Sequence, residues 1–259
     1  SVPDASLRAG LDVEQWMKEG LLDLLIIGAG GAADSPNQKL YIDMAHKYGI
    51  PAYPCINHFR PPQQMRTWAS NFWALGADGI YFFNWFGVED GSEKHKVLSQ
   101  MGDPKTLIGH DKLHKPDNGF VYWAYAHESW PETFPIGLVY GTPIKIIVGD
   151  DLRHTGATAR LTMKISGLET SANLYEMIAS VVPNEPIMVL INGKLVPDTK
   201  RLDKTIYLAN VPTALLARGV NEVRVLPGKG SSARIAAMIE SMELLIDYPP
   251  YTAEPQMRA

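Results

Sequence analysis

Two different spacings of apolar residues divide the chain, and they predict two kinds of structure. In the first half, helix-like stretches alternate with three short apolar runs around Leu25, Tyr53 and Tyr81, spaced by about 28 residues in the manner of strands that alternate with helices. From about residue 136 onward the period falls to two, most clearly over residues 160–166. The change of period predicts a helix-and-strand region followed by an all-β region.

Each predicted helix of the first half carries its own start and stop signals. Asp12 with Gln15 has the spacing of a capping box, and Gly20 supplies a left-handed C-terminal stop. Further helices are expected after Pro36 and from Pro62, since proline is favoured at the first helical position. A helix followed by an apolar strand, repeated, is the pattern of a parallel sheet covered by helices.

The regular spacing favours a (β/α)8 barrel over an open doubly wound sheet, although repeats of this length occur in both. The chain opens on a helix, and three parallel strands alone leave a sheet with unpaired edges and an uncovered face. We therefore expect residues 1–135 to be the last βα units of a barrel. A missing N-terminal barrel half, or another chain, is the partner expected to complete it.

The second half carries the signals of an antiparallel β-sandwich, predicted for residues 136–250 with a tail at 251–259. Asn192-Gly193 between apolar residues is the strongest hairpin signal in the chain. The fold class expected is thus α/β plus all-β. Strands are expected within residues 143–148, 187–191, 205–208, 221–226 and 240–247, with one helix-like turn within 212–217.

Composition narrows the classes of partner. The formal net charge is −4 and the isoelectric point is about 6.0, which gives no concentrated positive charge for nucleic acid or an anionic membrane. Cys55 is the single cysteine, so the chain forms no internal disulfide and no cysteine metal cluster. No apolar run approaches the ~18 residues that a membrane span needs. No cofactor is expected.

Candidate functional residues follow from the barrel rule that sites lie just past the C-terminal ends of the strands. An indole can lie against a sugar ring while amides and an imidazole hydrogen-bond its hydroxyl groups. The predicted substrate contacts are Asn57, His58, Asn84 and Trp85, with a packing role as the alternative for Trp85. The weak catalytic candidates are the carboxylates Asp34, Glu89 and Asp90, and a solvated acid or a helix cap is the alternative role for each. His58 is a further weak candidate, because the ordinary pKa of histidine is near neutrality.

Two other motifs resemble functional sites but are better explained as ordinary structural features. Gly28, Gly30 and Ala33 fit the G-x-G-x-x-A variant of a dinucleotide loop, but the helix opens late and no ribose-binding acid follows. A tight turn beneath a ligand is favoured, and an unrelated α/β enzyme that binds phosphate there is an alternative. His110 and His114 have the i, i+4 spacing of a helical metal site, yet no third ligand is evident. A solvated helix end is favoured, and no metal is predicted.

Residues 74–85 (ALGADGIYFFNW), with residues 16–27 upstream, resemble the C-terminal barrel half of glycoside-hydrolase-like, family-10-like TIM-barrel proteins of bacteria. Residues 101–104, Leu107 and 111–112 resemble the segment that follows the last barrel strand, so the resemblance covers about residues 11–115. It implies that Ile27, Ile56 and Phe83 close strands six, seven and eight of the barrel.

The resemblance implies hydrolysis of glycosidic bonds, which uses two carboxylic acids, in many retaining barrels at the ends of strands four and seven. This chain has Asn57 and His58 after the strand-seven candidate, and strand four is not among its predicted strands. The catalytic acids are therefore expected mostly outside this chain, which alone would be inactive. The alternative is a non-catalytic carbohydrate-binding or cell-surface protein with a degenerate barrel.

Residues 191–194 and 215–221 resemble the jelly-roll accessory domains of carbohydrate-active enzymes. A structural buttress is the favoured role of this domain, with sugar binding as the alternative, since no exposed row of Trp or Tyr is evident. The resemblance implies an oligosaccharide or polysaccharide as partner and a secreted or periplasmic location. Substrate, linkage and stereochemical outcome do not follow from these residues.

Overall fold

The computed structural model describes residues 3–28, 38–57, 60–86, 89, 91–116, 134–167, 187–227 and 237–249. Its first region alternates helices and parallel strands, as the apolar spacing predicts. The helices are α1 (Pro3–Arg8), α2 (Val13–Lys18), α3 (Gln38–Lys47), α4 (Pro62–Leu75) and α5 (Glu93–Met101), and the strands are β1 (Leu25–Ile27), β2 (Ala52–Asn57) and β3 (Tyr81–Phe83).

The three strands form one parallel sheet in the order β1-β2-β3. Ile26 lies opposite Tyr53, and Cys55 lies opposite Tyr81. The parallel βα arrangement of the prediction is therefore confirmed. Among the described residues, however, this sheet has three strands and does not close, so the barrel itself stays a prediction.

The two faces of the parallel sheet have different environments. One face is covered by α3 and α4, and Leu25, Ile27 and Ile56 are buried there. Side chains one residue away in each strand point to the opposite face. On that face, called the open face below, the exposed fractions are 42% for Ile26 and 47% for Phe83.

Helix α4 lies between the parallel sheet and the β-rich region. Pro62 occupies its first turn, and Gly76 ends it with φ 97°, a left-handed conformation that suits glycine. Apolar residues such as Phe72 pack toward the sheet, while the polar residues Ser70 and Asn71 are also buried. A helix buried on so much of its circumference is covered on both sides.

The β-rich region consists of two antiparallel sheets that share one hydrophobic core. The strands are β4 (Lys112–His114), β5 (Ile136–Gly137), β6 (Ile144–Val148), β7 (Thr158–Ser166), β8 (Met188–Ile191), β9 (Lys194–Leu195), β10 (Asp198–Arg201), β11 (Ile206–Val211), β12 (Gly219–Leu226) and β13 (Met238–Asp247). One sheet has the order β10-β11-β7-β13-β4, with β5 also paired to β13, and the other has the order β6-β12-β8-β9.

The strands expected in this region are confirmed within a few residues at their ends, and so is the hairpin. Asn192 and Gly193 both have positive φ, 51° and 77°, and they join β8 to β9. That pair of angles is the turn chemistry that Asn-Gly supplies in a two-residue hairpin. The helix-like turn is a short 3-10 helix, Thr213–Leu215.

The His110–His114 segment differs from the prediction. Instead of a solvated helix end, residues 112–114 form β4, which pairs with β13, and His114 is only 1% exposed. The i, i+4 spacing was misleading because pairing to a distant strand decides this conformation.

The domain boundary is a separate question. β4 precedes residue 136 but belongs to a sandwich sheet, and the predicted boundary at 136 stays a prediction. Helices α1 and α5 were not predicted.

Candidate functional site

The carboxyl ends of β1, β2 and β3 lie at one edge of the parallel sheet, here called the rim. Asn57 ends β2 opposite Phe83, which ends β3. The structure describes Asn84, Trp85 and Glu89 beyond β3. The predicted site residues Asp34, His58 and Asp90, and the side chain of Asn57, lie outside the described residues, as does most of the glycine-rich loop.

Asn84 is an exposed residue in the left-handed conformation, with φ 59°. Asparagine is one of the few residues with a side chain that adopts this conformation without a large cost. Its amide therefore leaves the turn after β3 toward solvent at the rim. A primary amide there offers both a donor and an acceptor to a polar ligand.

Trp85 is half-buried and packs against Phe82 of the preceding strand β3. Its ring lies 4.8 Å from the ring centroid of Phe82 at an interplanar angle of 63°, an edge-to-face contact. Trp85 also packs at the margin of the core formed with α4. These contacts of Trp85 are those of the packing alternative.

Phe86 is the rim aromatic that the sequence reasoning did not single out, and its exposed fraction is 79%. The loop that carries it is braced by the start of α5. Lys94 Nζ donates to the Phe86 carbonyl at 3.3 Å, Ser92 Oγ accepts from the His95 N–H at 3.2 Å, and the Gly91 N–H donates to His95 Nδ1 at 3.0 Å. The Ser92 cap was the available sequence signal for this helix.

The described part of the rim holds one of the three candidate carboxylates, the exposed Glu89. Glycosidic hydrolysis uses a pair of carboxyl groups separated by roughly 5 to 9.5 Å. The described residues therefore do not assemble a complete acid pair. Within the same residues, no cluster of three or more His, Cys, Asp or Glu side chains is placed to hold a metal ion.

A cluster of polar side chains, distinct from the rim residues, lies between α4 and the sandwich. It is called the junction cluster here and consists of Ser70, Lys112, His114, Asp150 and Tyr248. Asp150 is its centre, because its carboxylate accepts from Lys112 Nζ at 2.6 Å, from Ser70 Oγ at 2.5 Å and from the Tyr248 hydroxyl. Lys112 is fully buried and also donates to the carbonyls of Leu107 and His110, at 2.7 and 3.1 Å.

Burial dominates the electrostatics of the junction cluster. It lowers the pKa of Lys112, against the opposing effect of the Asp150 charge, and it raises the pKa of Tyr248. Burial also lowers the pKa of His114 to about 4, where Asp150 opposes the shift and Lys112 adds to it. Sequence reasoning missed this cluster because its members come from elements that are far apart along the chain.

The chain also matches a known family in part. The glycoside hydrolase family 42 model, described as beta-galactosidase, matches residues 33–115. No curated protein matches the chain. The matched residues run from the segment before α3 through β4, so they include the ends of β2 and β3. This supports a glycoside-hydrolase-like region and a function related to glycoside hydrolysis in general. None of the helices in the described part of the chain has the length and apolar character of a membrane span.

Proposed function

We propose that this chain is part of a carbohydrate-active enzyme that hydrolyses glycosidic bonds. The observation that carries the proposal is the family match over residues 33–115, which includes the ends of two parallel strands and the loop after β3. Because the matching family is described as beta-galactosidase, β-galactosides are the first substrates to test. The finer likeness to family 10 is part of the proposal and has no support from the match.

The rim residues have the chemistry to hold a sugar. The exposed ring of Phe86 offers an apolar face for a pyranose, and the Asn84 amide lies two residues earlier on the same turn. Sugar hydroxyl groups need such donors and acceptors beside an apolar surface. Asn57, His58 and Trp85 belong to the same proposed site.

The catalytic acids are proposed to come mainly from the part of the barrel that the described strands do not supply, with Glu89, Asp34, Asp90 and His58 as weak candidates within the chain. The open face supports this proposal. Parallel sheets are generally covered on both faces, and here Ile26 and Phe83 are exposed. A missing N-terminal barrel half or another chain is the proposed partner.

A non-catalytic carbohydrate-binding protein is the second candidate, and the amide and imidazole residues Asn57 and His58, which occupy the last position of β2 and the next one in place of a carboxylate, favour it. The two functions are separated by measuring binding and turnover on one panel of oligosaccharides and nitrophenyl glycosides that includes β-galactosides. Binding by isothermal titration calorimetry together with glycoside cleavage supports the enzyme. Binding with no cleavage by the intact protein supports the second candidate, and neither binding nor cleavage contradicts both.

The rim is tested with two exposed aromatics of nearly equal exposure. Phe86→Ala removes the ring at the rim, while Tyr140→Ala removes a ring that is 77% exposed on the sandwich. We expect Phe86→Ala to weaken sugar binding about tenfold, roughly the lower range for a well-placed aromatic contact. Tyr140→Ala should leave affinity unchanged. The reverse result would place the sugar site on the sandwich.

Asn84→Gly tests the side-chain amide without changing the backbone conformation. Glycine keeps the left-handed conformation at φ 59° and removes the side chain. Weaker binding at unchanged thermal stability is expected if the amide contacts the sugar. Equal affinity of Asn84→Gly and the wild type would remove Asn84 from the proposed site.

A further inference from the structure

The junction cluster holds a buried imidazole between α4 and the two sheets of the sandwich. His114 is 1% exposed. The Ile147 backbone lies close enough to favour the charged ring, but neither ring nitrogen has a hydrogen-bond partner of good geometry among the described residues. Its ring lies in a tight space lined also by Pro116, Lys145 and Ile147. A buried polar group without such partners is costly, and it becomes more costly when it gains a charge.

The charged groups around His114 come from each element that packs against β4. Lys112 lies on β4 itself, Lys145 lies on β6, and Asp150 follows β6. On α4, Arg66 acts electrostatically on Lys112. A second histidine, His110, precedes β4, and burial together with Arg66 and Lys112 lowers its pKa. On β13, the residue opposite His114 is the apolar Leu244.

The neighbouring acid on β13 is already engaged, since the Glu243 carboxylate lies 2.6 Å from Lys115 Nζ. Asp150 is the acid nearest the ring in electrostatic effect, and three donors already share its oxygens. Asp111, next to Lys112, accepts from the Tyr248 N–H at 2.9 Å and acts on Lys112 and Tyr248. Asp150 is therefore the described carboxylate that acts on the His114 ring, and its oxygens are already shared.

We propose that the contact between α4 and the sandwich is an acid-sensitive joint whose titrating group is His114. A proton taken from solvent by the imidazole places a second buried positive charge beside Lys112. The charge is relieved when α4 and β4 separate and water reaches the ring. The opening moves the helix that follows the rim loop, because α4 begins at Pro62, five residues after Asn57 ends β2.

The direction of the pH effect follows from linkage. The pKa of His114 falls from its ordinary 6.5 to about 4 in the closed joint, so the open state binds more protons between these two values. The closed joint is therefore fully stable above pH 6.5 and weakens as pH falls toward 4. With these values, the opening equilibrium constant rises about 100-fold between pH 7 and pH 4.

Hydrogen exchange on the full chain tests the proposal. After correction for the intrinsic exchange rate, peptides from α4 and β4 should show the roughly 100-fold rise, and peptides from β7 should not. His114→Gln removes the proposed titrating imidazole and keeps His110, so most of the rise in the opening constant should disappear. His154→Asn replaces an exposed imidazole at a left-handed position that asparagine tolerates. This control should behave as the wild type does.

A measurement on the unmodified protein covers the case in which His114→Gln does not fold. Histidine ring signals followed by NMR in the folded wild type should show His114 neutral at pH 5. An imidazole that becomes charged near pH 6.5 while α4 stays protected would overturn the proposal. An equal rise in α4 exchange in His114→Gln and the wild type would do so as well.

Discussion

The β-sandwich and the parallel sheet lie on either side of α4, and they differ in how much of their apolar surface is buried. In the sandwich, buried side chains from both antiparallel sheets form one core, and Leu161, Met163 and Ile165 are fully buried. In the parallel sheet, one face lies under α3 and α4 while the other exposes Ile26 and Phe83 by 42% and 47%. Parallel sheets are rarely left open on one face, and this difference is the basis of the proposal that a further layer covers the open face.

The junction cluster joins the sandwich to α4, the helix that covers one face of the parallel sheet. Removing Asp150 by Asp150→Ala leaves the buried Lys112 without its carboxylate, and losing one partner of a buried ion pair costs ~3–5 kcal/mol of unfolding free energy. Urea denaturation at pH 7 measures this loss.

Asp151→Ala is the matched control for Asp150→Ala, because Asp151 is an exposed neighbour paired with Arg153. Its denaturation midpoint should stay close to that of the wild type. The double variant Lys112→Met/Asp150→Leu should recover part of the stability, because it removes both charges together but leaves the Ser70 and Tyr248 hydroxyls without their acceptor. Equal midpoints for Asp150→Ala and Asp151→Ala would show that the junction contributes little.

The covered and open faces should respond differently to the loss of a side chain. Leu161→Ala removes a fully buried residue from the shared core of the sandwich and should cost ~2–5 kcal/mol. Ile26→Ala on the open face should cost less, about 1 kcal/mol, because its side chain is already partly hydrated. Thermal and urea unfolding compare the two variants, and similar losses would mean that the open face is covered in solution.

The close approach of the sandwich to α4 is tested at Gly149. A Cβ there would lie 2.3 Å from the backbone carbonyl atoms of Ser70, and the helix backbone cannot move aside easily. We expect Gly149→Ala to lower the unfolding free energy by ~1–3 kcal/mol. Gly102→Ala is the control, since no heavy atom lies within 4 Å of its added Cβ. A neutral Gly149→Ala would place α4 farther from the sandwich.

The smallest effect on stability is expected for Phe83→Lys on the open face. This substitution should instead weaken self-association of the protein. Phe83→Lys should change unfolding free energy by only ~0.5 kcal/mol, as for other surface substitutions. Exposed apolar faces promote association, so sedimentation velocity should show concentration-dependent self-association of the wild type that Phe83→Lys suppresses. Val220→Lys, at the same 47% exposure on the sandwich, should not suppress it. A wild type that stays monomeric at every concentration contradicts this prediction.

Local patterns predicted the elements whose conformation depends on nearby residues. The two-residue alternation of β7, the Asn192-Gly193 turn and the Gly76 helix stop are each encoded within a few positions. The same reasoning failed for residues 112–114, because pairing with β13 overrides the helical spacing of the two histidines. For the rim, the sequence placed Asn84 and Trp85 but gave no reason to choose Phe86.

The sequence by itself determined the division into a parallel βα region and an antiparallel one, because side-chain period follows the local backbone. Only the tertiary structure decided the junction cluster and the open face. Asp150 gathers donors from α4, β4 and the residue after β13, and no local pattern records which distant groups will share one carboxylate. The exposure of Phe83 is likewise a property of what packs on the sheet, and its own residues specify only which face it occupies.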